Sequence, residues 1–530
     1  MNPPDSARRT SRSGRSRWYA LPLLLLALLG GCATNPVTGR SELALISTAQ
    51  EIAIGSQQYA PGQQMQGGAY VVDPALQDYV ADVGERLARV SDRDLPYEFV
   101  VLNSDVPNAW AMPGGKIAIN RGLLTELGSE AELAAVLGHE ITHAAARHGA
   151  RAMERGIIAQ GALLATAVVV SSSDYSDYSN LALGAAGLGA QLITQKYGRD
   201  AERESDRYGM VYMQRAGYDP RAAVDLQETF VRLSEGRRSN WLEGLFASHP
   251  PSPERVDNNR AFAAELGAGG ELGRARYDAA LADLRRREPA YEAAQAGRTA
   301  LRSGDTASAL AEARRALAIE PREARFHALA GAAHDAAGDA TAALAAYDRA
   351  VDLEPGYFAH YQARGFTYLA LDRIAEAERD FQQANSLLPT ADGTAALGRI
   401  ALARGRREEA RGYFSQVADV RSAVGQDARM ALARLDLDDR PGNVVAAGWR
   451  VDADGSLLAE LRNDAPLTVG DIVLDVRVRQ ADGRVARREL PLRGRLGPGE
   501  AVAVRTGLTV PPTAVREDVA VAVISARAAD

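Results

Sequence analysis

Apolar residues in this chain keep three different rhythms, and each predicts a different kind of element. From Leu76 to Val90 and from Glu130 to Glu154 the spacing is helical, with Leu133, Val136, Leu137 and Ile141 recurring on one face. Ser129-Glu130-Ala131-Glu132 reads as a capping box, which sets the start of the second helix. Two stretches of small and apolar residues, 157–170 and 181–193, flank a polar segment at 171–180. Each falls short of the roughly 20 residues a bilayer span needs, so they predict a buried helical pair or a lid over a cleft. From residue 443 onward apolar and polar residues alternate, as in Ile472-Val473-Leu474-Asp475-Val476-Arg477-Val478. Turn signals at Asp454-Gly455, Asp482-Gly483 and Pro498-Gly499 divide that region into short strands, which predicts a small antiparallel β-sandwich.

A third rhythm is a repeat. Pro321, Pro355 and Pro389 are spaced by 34 residues, as are Gly297, Gly331 and Gly365, Ala309, Ala343 and Ala377, and Ala316, Ala350, Ala384 and Ala418. That period is the tetratricopeptide one, a helix pair per repeat with small residues where helices approach and proline ending the second helix. Tyr361, Tyr368 and Phe381 stand where large residues are expected, whereas Ala313 weakens the first repeat. A degenerate closing repeat is expected near Gly398, Gly405 and Phe414. Stacked repeats present a concave groove suited to a peptide or partner protein.

The expected architecture is therefore multidomain. A mostly α domain with a small β-hairpin or sheet spans 32–265, a linker helix 266–289, an α-solenoid of repeats 290–437, and an all-β immunoglobulin-like sandwich 443–530. Residues 1–31 carry five arginines, then an apolar run from Leu21 to Leu29, then Gly30-Gly31-Cys32, the pattern of a lipoprotein signal peptide. Cys32 is the one cysteine, so no disulfide forms, and its expected fate is attachment to diacylglycerol. Ala33, rather than Asp, after that cysteine resembles lipoproteins sorted to the outer membrane. Removing five Arg and one Asp with the signal moves the formal charge from −7 to −11, and an acidic chain carries no nucleic-acid footprint.

The chemistry concentrates at His139-Glu140-Ile141-Thr142-His143. On a helix, residues four apart share a face and lie roughly 6 Å apart along the axis, so both imidazoles reach one ion. Zinc held this way keeps a position open for water and lowers that water's pKa toward about 7, and Glu140 flanks the site to take the released proton. This is the chemistry of peptide-bond hydrolysis. A third ligand is needed, and the stretch from Gly198 to Gly209 is rich in carboxylates. In a helix Glu202 and Asp206 share a face while Glu204 points about 200° from Glu202, so the two glutamates cannot both ligate. Glu202 is the expected ligand, and Asp206 one turn on is placed to orient a ligating histidine. Arg203, Glu204 and Arg207 read as a solvated charged face. His148, nine residues from His139, falls off the metal face and reads as a structural or surface histidine.

The pair His139-Glu140-x-x-His143 with Glu202-x-x-x-Asp206 resembles the gluzincin metallopeptidases of the HtpX and CAAX prenyl protease kind. Asn108-Ala109-Trp110-Ala111-Met112-Pro113-Gly114-Gly115 and Ser248-His249-Pro250-Pro251-Ser252-Pro253-Glu254-Arg255 are similar to two further segments of that family. The segment Asn35-Pro36-Val37-Thr38-Gly39-Arg40 resembles one found in its lipoprotein members. The first of these stretches predicts a strand turned by Gly114-Gly115 into Lys116-Ile117-Ala118-Ile119, a hairpin whose edge holds an extended substrate, with Asn108 and Ala109 in contact with it. Trp110 is expected in the core. His249 admits two roles, oxyanion donor or a fourth zinc ligand in an idle state, and Arg255 resembles the family's arginine near the site.

The resemblance implies a periplasmic endopeptidase with one zinc ion per chain, held to the outer membrane through Cys32. His139, His143 and Glu202 hold the metal, Glu140 activates water and protonates the leaving amine, and His249 or Arg255 steadies the oxyanion. Members that pair this peptidase with tetratricopeptide repeats act in outer-membrane protein assembly and quality control. The implied substrates are thus unfolded or misassembled outer-membrane proteins, with the assembly machinery meeting the repeats. The lipobox and the C-terminal sandwich depart from that pattern. The alternative is a scaffold or chaperone-like assembly factor whose zinc site is latent.

Overall fold

The computed structural model describes residues 32–166, 191–236, 248–267 and 269–529. The expected signal peptide 1–31, the polar segment 171–180, residues 167–170 of the first apolar stretch and 181–190 of the second lie outside the described residues. Among the described residues no helix is long and apolar enough to cross a membrane. Among the described residues the chain divides into two compact units, one reaching Glu292 and one running from Ala293 onward.

The first unit opens on a short antiparallel pair, β1 (Cys32–Thr34) and β2 (Ser41–Leu43). Helix α1 (Thr48–Met65) follows, capped by Ser47 and Gln50, and α2 (Pro74–Ala88) begins where Asp73 accepts from Leu76 N–H and Pro74 needs no donor. Three strands then form one sheet, β3 (Glu98–Leu102), β4 (Ala109–Met112) and β5 (Lys116–Asn120), in the order β3-β5-β4. β4 and β5 pair antiparallel with Met112 opposite Lys116, the expected hairpin, and β3 adds a parallel neighbour that the sequence pattern did not announce. The turn needs its glycines. Gly114 and Gly115 have φ of 79° and 87°, and a Cβ on Gly114 would lie 2.6 Å from Ile52 Cα. β4 is the sheet's edge strand.

After the single turn α3 (Arg121–Leu124), helix α4 (Glu130–Ala145) is almost wholly buried. Ser129 Oγ accepts from Glu132 N–H, and the Glu132 carboxylate accepts from Gly128 N–H. The expected single helix over 130–154 is broken. α4 ends at Ala145, Arg147 takes a left-handed φ of 61°, and α5 (His148–Thr166) starts a new direction. The break is held by charge. Arg147 donates to Glu51 Oε1 (2.7 Å), Glu154 Oε1 (3.1 Å) and Ile46 O (2.6 Å), while Arg93 donates to Glu51 and to Ala144 O, a carbonyl at the end of α4. Opposite charges with little solvent to screen them hold the break where an uninterrupted helix would otherwise run on.

Helices α6 (Arg199–Arg215) and α7 (Ala222–Gly236) pack on α4, and α8 (Pro253–Leu266) packs on α6 and α7. The segment 266–289, expected as a linker, belongs mostly to a long packed helix, α9 (Arg274–Arg302). Tyr277, Leu281 and Leu284 are fully buried, Tyr277 donates to Leu124 O, and Arg276 and Arg287 bind Glu130 and Asp73. Apolar residues at helical spacing on an arginine-rich segment make it part of the first unit's core.

In the second unit the helices α10 (Thr306–Ile319), α11 (Ala324–Ala336), α12 (Ala340–Leu353), α13 (Phe358–Ala370), α14 (Ile374–Leu387), α15 (Ala391–Ala403), α16 (Arg407–Val417) and α17 (Ala423–Asp439) realise the helix-pair repeat. Three repeat glycines make room for a ring on the next helix, where a Cβ would lie 2.8 Å from Tyr347 at Gly331, 3.2 Å from Phe381 at Gly365 and 2.7 Å from Phe414 at Gly398, while at Gly297 the neighbour is Leu329 at 2.9 Å. The last repeat is one residue short. Gly398, Ala410, Phe414 and Val417 carry the buried positions, so Ala418 falls outside the series and caps α16. The strands β6 (Val445–Val451), β7 (Ser456–Asn463), β8 (Val469–Arg479), β9 (Val485–Pro491), β10 (Ala501–Thr509) and β11 (Val519–Ala528) form two three-stranded antiparallel sheets, β10-β7-β6 and β11-β8-β9. Val445, Leu457, Leu461, Leu474, Val476 and Val519 form their shared core, and no closed barrel results.

Candidate metal centre

Helices α4 and α6 bring the site together because two glycines face each other. A Cβ on Gly138 would lie 3.1 Å from Gly209 O, and one on Gly209 would lie 3.0 Å from His139 N. The close approach carries Glu202 to the two histidines. His139 Nε2 and His143 Nε2 are 3.0 Å apart, and the Glu202 carboxylate lies 3.6 Å and 3.5 Å from them. Ligands about 2.0–2.2 Å from one tetrahedral ion stand roughly 3.3–3.6 Å apart, so this donor set matches a small cation. The chemistry agrees. Burial holds the His143 imidazole well below its ordinary pKa, the neutral form a metal needs, and the buried Glu202 Oε2 has no hydrogen-bond partner among the described residues.

His249 enters from the residues just before α8 and joins the cluster. Its Nδ1 is 2.9 Å from Glu202 Oε1 and 3.3 Å from His139 Nε2, and its Nε2 is 3.7 Å from Glu140 Oε1. One atom each from His139, His143, Glu202 and His249 lies within 4.8 Å of every other. Glu140 is buried beside them, its Oε2 without a hydrogen-bond partner among the described residues, and its burial pushes the carboxyl pKa up, against the pull of His249 and His139. A carboxyl that holds a proton more readily than usual suits a group that must take one and return it.

Asp206 accepts from His139 Nδ1–H (3.0 Å) and from the Arg255 guanidinium at 2.8 and 2.7 Å. Burial would raise its pKa, but the Arg255 charge and the His139 hydrogen bond hold it down, so it stays an anion that fixes the imidazole's tautomer. Arg255 Nη1 also approaches Glu202 Oε2 at 3.0 Å, without hydrogen-bond alignment. Asn108 and Ala109 are placed at the start of β4. Ala109 is fully buried and Asn108 nearly so, with the Asn108 Oδ1 unpartnered among the described residues. Trp110 sits in the core, as its ring size predicts.

Three neighbours escaped the sequence reading. His148 is buried, with Nδ1 2.8 Å from His143 Nδ1 and Nε2 3.2 Å from Glu204 Oε1. Nine residues put it off the metal face only if the helix runs on, and the turn at Arg147 brings it back. Glu204, expected in solvent, is half-buried against His148 and Arg151. Tyr197, just before α6, stacks on His143 with ring centres 4.0 Å apart.

The sequence pattern of Peptidase family M48 matches residues 74–262, the stretch that holds every one of these site residues except Cys32. Metalloprotease YcaL of Escherichia coli K12 is 31% identical over 254 residues, which cover 44% of this chain and 92% of that protein. This chain belongs to peptidase family M48. Another M48 relative, the Beta-barrel assembly-enhancing protease of Yersinia pestis, is 31% identical over 237 residues, 44% of this chain and 47% of the relative. The matched region thus spans about half the length of that longer relative. Among solved structures, a thermophilic TPR protein of Thermus thermophilus covers 39% of this chain and 98% of its own at 20% identity and a TM-score of 0.26.

Proposed function

We propose that this M48 chain is a zinc-dependent endopeptidase of the periplasm that degrades unfolded or misassembled outer-membrane proteins. The observation that carries the reading is the spacing of His139, His143 and Glu202 beside a buried Glu140 whose Oε2 has no hydrogen-bond partner among the described residues. His139, His143 and Glu202 would hold the zinc, and the chemistry it supplies there is Lewis-acid polarisation of the attacked carbonyl and acidification of water. Glu140 Oε2 accepts the proton of the attacking water and returns it to the departing amine. Asp206 keeps His139 oriented, Arg255 keeps Asp206 ionised, and His249 or Arg255 would steady the oxyanion. The β4 edge supplies main-chain groups for an extended substrate, with Asn108 and Ala109 at its start. Cys32, at the head of β1, would carry the lipid anchor to the outer membrane, and the repeats would receive the assembly machinery.

The position of His249 favours a second, compatible reading. With its Nδ1 among the ligand atoms it fits a fourth ligand, so the site described here is an idle one, and in the extreme case the chain acts as a scaffold with a latent metal. Replacing Glu140 by Gln separates enzyme from scaffold. The endopeptidase reading expects zinc at one per chain in both forms and a fall of about 10²–10⁴-fold or more in cleavage of an unfolded β-barrel protein. Protein that stays metal-free under saturating zinc, or a variant that cleaves as well as the parent, overturns it.

A further inference from the structure

The loop that joins β1 to β2 grips the end of the metal helix from behind. Within it Asn35 Oδ1 accepts from Val37 N–H (2.9 Å) and Thr38 N–H (3.1 Å), and Gly39 turns the chain at a φ of 70°. Those bonds fix the amide plane and aim its nitrogen out of the loop. Nδ2 donates to Ala146 O (3.2 Å), on the residue that caps α4, and to Glu42 Oε1 (3.0 Å) on β2. Asn35 is 1% exposed, and both its side-chain oxygen and its nitrogen are engaged twice. Glu42 Oε1 also accepts from Arg151 Nη1 on α5, and Arg151 Nη2 stands 3.6 Å from Glu204 Oε1 on α6. From there two short steps reach the metal cluster. Glu204 Oε1 is 3.2 Å from His148 Nε2, and His148 Nδ1 is 2.8 Å from His143 Nδ1.

His148 thus rests on two supports. Its backbone leaves the turn at Ala146-Arg147, which Asn35 and Val37 hold, and its ring rests on Glu204, which Glu42 steadies through Arg151. Both supports end on one short segment, residues 35–42. A loop that only covered a helix end would bury apolar surface, as Val37 does. A buried amide with every bond made fixes direction as well, because each lost bond leaves a partner unsatisfied. Resting on the endopeptidase reading above, we infer that Asn35 and Glu42 are positioning residues of the metal centre, which hold His148 against His143 and so direct His143 toward the ion. Their effect passes through His148, so losing either is expected to weaken zinc binding about 3–30-fold, less than losing His148 itself.

Zinc affinity of the full-length protein is measured by chelator competition for Asn35→Ala, Glu42→Gln and His148→Phe, singly and combined. Asn35→Ala and Glu42→Gln are each expected to weaken zinc alone and to weaken it no further when added to His148→Phe. Effects that simply add, or a lowered melting temperature with zinc affinity unchanged, assign the loop to stability and overturn the inference. A second readout uses metal-free protein with ¹⁵N-labelled histidine. Ring resonances of His143 and His148 are expected to shift in Asn35→Ala, while those of His360, buried in the repeats, stay in place. Unmoved His143 and His148 resonances overturn the inference and leave the endopeptidase reading standing. Shifted resonances in a chain that takes up no zinc do the reverse.

Discussion

His143 is oriented from behind by a relay that no short motif encodes. With Nε2 turned to the metal cluster, His143 Nδ1–H donates to His148 Nδ1, and His148 Nε2–H donates to Glu204, a tautomer assignment in which every proton has one place. Metal-bound imidazoles depend on such partners for basicity and direction. His148→Phe is therefore expected to weaken zinc binding about 10–100-fold, read by competition with a chelator of known affinity; unchanged affinity would assign His148 to packing alone. At this scale the sequence showed what is local. His139, Glu140 and His143 sit within one helical turn, and periodicity within α6 picks Glu202 over Glu204. It did not show His148, because that residue's relation to the site depends on the backbone break at Arg147.

Element by element, periodicity fared well and boundaries less so. The repeat spacing of 34 named the glycines and alanines at helix contacts, and it erred at Ala418 because a one-residue deletion leaves neighbouring alanines equally eligible on paper. The ring packed on Gly398 decides the register. Gly398→Ala would place a methyl 2.7 Å from Phe414 and is expected to destabilise the chain by about 1–3 kcal/mol in denaturant unfolding. Gly412→Ala, in α16 with nothing within 4 Å, should be neutral or stabilise by up to about 1 kcal/mol. Equal effects at the two positions would mean that ring contact does not set the register. The helix end at Ala145 was invisible for a different reason. Propensity favours continuing through Ala144-Ala145-Ala146, and the partners that overrule it, Glu51 and Arg93, are distant in sequence.

For the molecule as a whole, composition showed that the chain has several parts, but not where the first one ends. Charged segments look like linkers when their apolar residues are sparse, yet Tyr277, Leu281 and Leu284 are each fully buried. Their burial contributes roughly 5 kcal/mol, on the order of a domain's entire stability. A fragment ending at residue 265 is accordingly expected to lose its cooperative thermal transition and its zinc, whereas one ending at residue 303 keeps both. Equal melting of the two fragments would return 266–289 to the role of a tether. The opposite end of the first unit has its own consequence. Asn35 Nδ2 donates to Ala146 O, and Val37 packs against Ala145 and Ala146, at the very end of the helix that carries His139 and His143. Three residues of chain span about 10 Å at full stretch, and the helix adds about 1.5 Å per residue. Were Cys32 acylated, the hydrolytic centre would ride on a leash of roughly 20 Å, grazing the lipid headgroups and sampling only polypeptide already stranded at that surface.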